Sequence, residues 1–489
     1  MSTGMHTSNS FASIRRPITS DPKVWHSYWQ AQGQPWRTMP EIDKERQEQL
    51  TARRITATQN ENGSCPFQNM KLNRADIEWL LATHEHGRGP VDWSKESDRE
   101  REGLDLRGTD LRGEDLSGLP LARMRGGLTV RELGNTTLEQ RDMAGIHLEG
   151  ATLIRTHLEG AFLYGAHLEQ AAVVEAYVAE AFLQNAHLEK ANLYRSDLKR
   201  ADLSFAHLEE ANLIKAHLEG ATLSFARLEK ALLSEACLER TNLVLAHLEG
   251  ANLAEANIGK ADLQRASLDG ETILEDITLG RGKRKFVSLA NVRWGGADLT
   301  VVDWLSMNML GDEYEARQQK AFGGQMKDTA ERLTEYKTAV QANHQLALVL
   351  RGQGMNEEAD HFAYRAQLLQ RVVWRRRQQW LKYIFSWFLY LLAGYGYRPL
   401  RSLFVYLFVI AGFAANYFVV THALHVQPYP LAWHEALVLS ISSFHGRGFF
   451  QPVQSLGDPV AMLAAFEAVF GLLIEISFIA TFTQRFFGK

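Results

Sequence analysis

Residues 191–220 read ANLYRSDLKRADLSFAHLEEANLIKAHLEG. Leu193, Leu198, Leu203, Leu208, Leu213 and Leu218 fall at every fifth position, and a small residue, most often alanine, stands two places before each. The spacing runs outward in both directions. From Leu128 to Ile273 every fifth residue is Leu, Ile, Val or Met, which counts thirty units without a slip. A strand alternates faces with period two, and a helix turns by about 100° per residue, so neither brings every fifth residue to one side. Alanine and leucine two apart do share a face of an extended segment. A chain that bends once per five residues places all of them inside a coil. His-Leu-Glu recurs at His147, His157, His167, His187, His207, His217 and His247, always separated by multiples of ten. Alternate faces therefore share a pattern, and the number of faces per coil is even.

Ala191-Asn192-Leu193, Ala201-Asp202-Leu203 and Ala261-Asp262-Leu263 follow A-(D/N)-L-x-x. On these units the segment resembles the pentapeptide-repeat family. The resemblance implies a right-handed quadrilateral β-helix with four repeats per coil, here extending roughly 36 Å at about 4.8 Å per coil. Leu106, Leu111 and Leu116 before the run, and Val287, Val292 and Leu299 after it, are expected to extend the solenoid over residues 102–305, with the basic stretch from Gly280 as a loop. Stacking places His147, His167, His187, His207 and His247 in one column, with Arg227 in the sixth place. Such a column is either a ladder for metal or protons or a solvated stripe beside its glutamates. The second reading is adopted, because the histidines recur with their unit. The thirty units carry 22 acidic and 13 basic residues. An acidic rod suits a protein partner. DNA mimicry, known in some pentapeptide proteins, is disfavoured because it needs no membrane segment.

The whole chain of 489 residues is 45% hydrophobic and 22% charged, with a formal net charge of −4. No basic bias points to nucleic acid as a partner. Cys65 and Cys237 alone cannot form a disulfide framework or a four-cysteine zinc site. The first twenty residues lack the apolar core of a secretory signal. No G-x-S-x-G, G-x-x-x-x-G-K-[ST] or H-E-x-x-H motif occurs, nor any Cys-His pair suited to catalysis. The expectation is a non-enzyme without cofactor or metal. Residues 1–22 read as disordered. Residues 23–101 read as a helical cap over the open end of the solenoid, which needs covering. Residues 306–370 read as a hairpin, with helices from Thr329 to Gln370 folded around Arg351-Gly352-Gln353-Gly354 and similar to a single tetratricopeptide unit.

Apolar length changes the reading after that. Ser402–Thr421 is an uncharged run of membrane-spanning length, and Val460–Thr483 is similar but carries Glu467 and Glu475. The shorter Ile384–Tyr395 follows a basic run, so residues 371–398 read as a basic interfacial helix, with a short third span as the alternative. Arg371, Arg375, Arg376, Arg377, Lys382, Arg398 and Arg401 precede the first span, whereas Arg447 alone among Lys and Arg lies between the spans. The positive-inside rule then puts both termini in the cytoplasm, in a multi-pass protein of the inner or plasma membrane. The basic stretch is suited to anionic lipid of the bilayer.

Between the spans, Trp433–Phe444 is apolar, helix-length and too short to cross. A span, a short re-entrant helix, a glycine-spaced loop and a second span are the layout of the two-span potassium-channel pore, which residues 399–489 resemble. The resemblance implies an α-helical membrane domain of two spans with a re-entrant pore helix, a homotetramer, a permeant ion, and a selectivity filter at Phe444, His445, Gly446, Arg447 and Gly448. Both glycines stand, but the family's threonine, valine and tyrosine do not. A ring of Arg447 would repel cations or select anions; the other reading of Arg447 is a salt bridge with Asp458 or Glu435. Glu467, Gly471 and Glu475, four apart, share one helix face. They are candidates for pore lining or gating, with Gly471 at a bend, Glu475 ringing the inner pore, and Glu467 pairing with Arg447 or capping the re-entrant segment. Structural pairing of both glutamates inside the bundle is the alternative. The expected function is a tetrameric ion channel with the solenoid as its regulatory or assembly domain; the alternative is a membrane-tethered scaffold. No arginine-repeat helix argues for a voltage sensor.

Overall fold

The turn that closes each five-residue unit leaves little backbone to pair, and the solenoid uses all of it. In the unit Ala191–Arg195, the Asn192 N–H donates to the Ala171 carbonyl of the previous coil at 2.9 Å. The Leu193 and Arg195 N–H groups donate to Asn212 and Ile214 of the next coil, at 2.7 and 3.1 Å. Ser196 N–H returns to the Leu193 carbonyl and closes the turn. The remaining donor, Tyr194 N–H, is taken by the Asn192 side chain at 3.2 Å. The same bond recurs at Asp202, Asn212, Asn242, Asn252 and Asp262. This is the physical content of the Asn/Asp preference: it satisfies the one N–H that neither coil reaches.

The computed structural model describes residues 16–59, 65–280, 286–321, 324–397, 399–423, 431–446 and 459–487. The chain divides into two units, Met1–Tyr314 and Glu315–Lys489. In the first, parallel bridges join residues twenty apart, such as Ala172 to Asn192 to Asn212, which fixes four units per coil. Among the described residues the coils are held by single-residue bridges and no continuous strand forms. A turn in every unit leaves one residue per face free to pair. The interior is nearly pure Leu and Ala, from Leu148 to Leu268, almost all under 3% exposed. The cost appears at the last turn residue, where Arg195, Glu210, Lys215 and Leu245 among others adopt φ near +60°. This conformation is unfavourable for L-residues by about 1–2 kcal/mol each, and coil pairing and burial offset it.

Two stretches counted as repeats depart from the coil. Leu133, Leu138 and Met143 keep the five-residue spacing, yet Leu138 is 74% exposed and Met143 46%. They lie in or beside short helices inserted between coils, Val130–Leu133 and Leu138–Ala144. Thr129 and Glu132, then Thr137 and Gln140, form capping boxes that start these helices and override the spacing. At the other end, Asp269 accepts N–H bonds from Gly250, Glu271 and Thr272 and absorbs one extra residue. The register then slips, so that Leu274 is buried and Ile273 is 41% exposed. Leu106, Leu111, Leu116, Val287, Val292 and Leu299 are buried and do extend the interior. The basic loop after Gly280 falls on residues 281–285, outside the described residues.

At the N-terminal end, α1 (Pro22–Ala31), α2 (Lys44–Gln59) and α3 (Arg74–Ala82) enclose Trp25, Trp29, Leu50, Phe67, Ile77 and Leu80. Residues just before α3 pair with the first coil, through Leu72 N–H to Asp110 O and Asp110 N–H to Met70 O. Arg74 reaches the Asp115 and Ser117 carbonyls while its guanidinium also holds the wholly buried Glu78. These helices therefore cover the open end. Of the first 22 residues, 1–15 lie outside the described residues.

The second unit begins with a hairpin of α4 (Thr329–Gly352) and α5 (Asn356–Arg376). Small and apolar residues line its seam: Ala339, Ala342, Leu346 and Leu350 on one helix, Ala359, Phe362, Ala366 and Leu369 on the other. The expected interfacial helix over 371–398 is split. Arg371, Arg375 and Arg376 still belong to α5, a left-handed Gln378 (φ 57°) breaks the chain, and α6 (Trp380–Ala393) follows. Helix α6 has 14 residues, about 21 Å, short of the ~30 Å hydrocarbon core. Helices α7 (Pro399–Ala423) and α9 (Pro459–Phe487) have 25 and 29 residues. Two segments within them, Arg401–Ala423 and Pro459–Ile479, are long and apolar enough to cross a membrane. Between them stands α8 (Trp433–Phe444), 12 residues and about 18 Å long.

The contrast between coil and insertion is directly measurable. Leu208→Ala, at an interior position with no exposure, is expected to cost about 2–5 kcal/mol. Leu138→Ala, at the same sequence spacing, is expected to change stability by less than about 0.5 kcal/mol. Urea unfolding of the detergent-solubilised chain, followed by circular dichroism, reads both; equal effects contradict the assignment.

Candidate functional site

The face of α9 that carries Glu467, Gly471 and Glu475 is turned onto α8. Glu467 has no exposure. Tyr417 of α7 donates its hydroxyl to Glu467 Oε2 at 2.8 Å, and Ser440 of α8 bonds the other carboxyl oxygen. Ser440 Oγ also lies 2.9 Å from the Ile410 carbonyl of α7. One carboxyl group thus ties three helices together. One turn further along, a Cβ on Gly471 would collide with the Phe444 carbonyl at the end of α8. Glycine is there for close approach, and α9 runs unbroken through it. One more turn on, Glu475 lies 3.3 Å from His445 Nε2, and Tyr406 Oη lies 3.3 Å from the same nitrogen.

Within one protomer, the stripe read as lining or gating a pore packs on α8. Glu467 is inside the bundle, Gly471 is a close contact in a helix that runs on without a break, and Glu475 meets the end of α8. Within one protomer Glu467 is paired inside the bundle, and Glu475 faces His445 while remaining 34% exposed. Phe444 is buried with Leu392, Ile410 and Ile474. His445 is partly exposed, and Gly446 adopts φ +65° with its N–H on the Ser443 carbonyl. Arg447, Gly448 and Asp458 lie outside the described residues. Glu435 accepts the Ala432 N–H at 2.8 Å and caps the start of α8.

Helix α8 buries Ala436, Ser440, Ser443 and Phe444, but leaves Trp433, Val438 and Ile441 exposed, Val438 by 64%. That exposed side is mixed: His434 and Glu435 share it with Val438 and Ile441, and the two apolar side chains have no partner within the protomer among the described residues. The Tyr417–Glu467–Ser440 tie was not readable in advance, because its members stand 50 and 27 positions apart. The signal that existed was Ser440 and Glu467 together in otherwise apolar segments.

On the solenoid, the histidine column forms as expected. His147, His167, His187 and His207 stack with ring centroids 4.8 Å apart, and each Nδ1 faces the glutamate two residues on, at 3.0 to 3.5 Å. On the opposite face His157 stacks on Tyr177. The Glu159 carboxylate beside it holds its imidazole above the usual range. Three His-Glu-His groups along the column, and a fourth group of His217, Glu219 and Cys237, each bring ligand atoms within 4.8 Å of one another. His217 and Cys237 are distant in sequence but directly paired across one coil. A twenty-residue separation is the signal that locates them.

The pentapeptide-repeat family model matches residues 132–170, 174–204, 201–240 and 231–270, as eight copies. Within residues 132–270 the chain carries pentapeptide repeats, interrupted by the inserted helix Leu138–Ala144. Solved structures similar to the chain include HetL, a pentapeptide repeat protein involved in heterocyst differentiation regulation from the cyanobacterium Nostoc sp. strain PCC 7120. It is 21% identical, with 46% of this chain and 99% of that one covered and a TM-score of 0.23. A pentapeptide repeat protein from the Arabidopsis thaliana thylakoid lumen is 32% identical, over 17% of this chain and 63% of that one, with a TM-score of 0.15. Full-length QnrB1, a plasmid-mediated fluoroquinolone resistance protein, is 16% identical, over 40% of this chain and 88% of that one, with a TM-score of 0.18. No curated protein matches the chain in sequence. The pentapeptide-repeat matches leave the two apolar helices to be read from their own geometry.

The Glu467 tie yields a test. Glu467→Gln keeps an acceptor for Tyr417 and is expected to retain most thermal stability in detergent. Glu467→Leu removes the acceptor of the buried Tyr417 hydroxyl, at about 1–3 kcal/mol, while Ser440 keeps the Ile410 carbonyl, and is expected to lower the melting temperature clearly more. The reverse order contradicts the tie.

Proposed function

We propose that the chain is an oligomeric membrane ion channel and not an enzyme, with four copies arranged around an axis lined by α8 and the residues that follow it. The observation that carries this reading is α8 itself. A helix too short to cross, set between two helices that are long enough, leaves the apolar side chains of Val438 and Ile441 without a partner in the protomer, on a side it shares with the polar His434 and Glu435. Its C-terminal end, at His445 and Gly446, presents polar backbone. Irregular backbone at membrane depth must be buried in protein or line water. Packing against α7 and α9 satisfies only one side of α8, and neighbouring copies supply the other.

In this arrangement the Glu467 tie and the Gly471 contact hold α8 at a fixed depth. The filter candidates Gly446 to Gly448 then present carbonyl groups to the axis, and Arg447 sets the preference for charge. Helix α6 and the arginines before it lie at the cytoplasmic surface of an inner or plasma membrane, against anionic lipid. There Arg371 and Arg401 both stack on Tyr390, at 4.6 and 5.2 Å from the ring. The pentapeptide-repeat solenoid serves as a cytoplasmic regulatory or assembly domain. A membrane-tethered scaffold would use the same acidic solenoid, but gives no reason for a short helix held at membrane depth with Val438 and Ile441 unpartnered.

Purified protein in planar bilayers is expected to show unitary currents. Arg447→Tyr is expected to shift the reversal potential toward cation preference in a salt gradient. Silence under every ion and tension contradicts the channel, whereas currents with unchanged selectivity place Arg447 outside the conduction path.

A further inference from the structure

The fourth ligand group of the solenoid differs in kind from the other three. In the histidine column the rings stack within 6–14° of parallel. Their in-plane lone pairs run side by side instead of converging on one point. The group on the other face combines three donor types: the His217 imidazole, the Glu219 carboxylate and the Cys237 sulfur. His217 and Cys237 are bridged neighbours on successive coils. His217 Nδ1 stands 3.3 Å from Glu219 Oε1, and Glu219 Oε2 is buried with no hydrogen-bond partner. A surface hollow of about 580 Å³ opens over His217 and Cys237, flanked by Tyr177, Arg195, Lys199 and Lys215. The lysines do not leave it strongly positive, since Lys199 faces Asp197 at 3.6 Å and Lys215 faces Glu235 at 3.2 Å.

We propose that His217, Glu219 and Cys237 bind one borderline-soft divalent cation of the zinc class. Sulfur, imidazole nitrogen and carboxylate oxygen are the donors such an ion takes, at about 2.3, 2.0–2.1 and 2.0–2.2 Å. A thiolate disfavours magnesium and calcium. The donor atoms, within 4.8 Å of one another, reach those distances by side-chain rotation on a backbone held by coil pairing. Three protein ligands leave the fourth position facing the hollow, open to water or to a small anionic ligand. The Cys237 thiol gives up its proton to the solvent on binding, so affinity falls as pH falls. The site is independent of the pore reading.

Cobalt(II) is the probe, titrated into metal-stripped full-length protein in detergent. One equivalent per chain is expected to produce the near-ultraviolet charge-transfer band of a cobalt–thiolate bond, and zinc is expected to remove it by displacement. Cys237→Ser is expected to abolish the band, Cys65→Ser to leave it, and His217→Ala to weaken cobalt binding at least about tenfold. Circular dichroism of each variant confirms that the solenoid is intact. The proposal is overturned by the absence of a band, by a band that survives Cys237→Ser in folded protein, or by one that Cys65→Ser removes.

Discussion

The solenoid follows from one constraint: a backbone that turns every five residues must still find partners for its N–H groups. Coil-to-coil bonds satisfy three, the turn satisfies one, and in the units that carry one, such as those of Asn192 and Asp202, the Asn or Asp side chain satisfies the last. That accounting permits a coil of only twenty residues, narrow enough for one leucine and one small residue per face to fill it. It also explains why left-handed turn residues such as Arg195 and Lys215 are tolerated. The strain is spread along the rod and is balanced at every coil by the same set of bonds and buried groups.

The sequence made this unit legible where the spacing and the capping chemistry agree. Leu148 to Leu268 are where the five-residue rule puts them. The rule misled at Leu138 and Met143 because spacing is only a proxy for an interior. Thr129–Glu132 and Thr137–Gln140 are local helix signals in the same stretch, and local hydrogen bonding won. It misled again at Ile273, where the Asp269 turn takes one extra residue. The His217–Cys237 juxtaposition was hidden for the opposite reason. Only after the coil length is known do residues twenty apart become neighbours.

The membrane unit was legible in its lengths and in the common face of Glu467, Gly471 and Glu475. What that face meets could not be read, because helix packing partners carry no sequence spacing of their own. The structure shows it against α8, with Tyr417 and Ser440 on the buried carboxyl group and the Phe444 carbonyl in the space that glycine leaves. A carboxyl group within a span is costly. Here it fixes α8 against α7 and α9 through Tyr417 and Ser440. The exposed Val438 and Ile441 on that helix are what the proposed ring of copies would cover.

The most direct measurement is a cryo-electron-microscopy map of the full chain in lipid nanodiscs. The account predicts four protomers around one axis, with Val438 and Ile441 packed against neighbouring protein and the backbone after Gly446 facing a central water-filled path. A single protomer, or a ring in which α8 faces lipid, contradicts it.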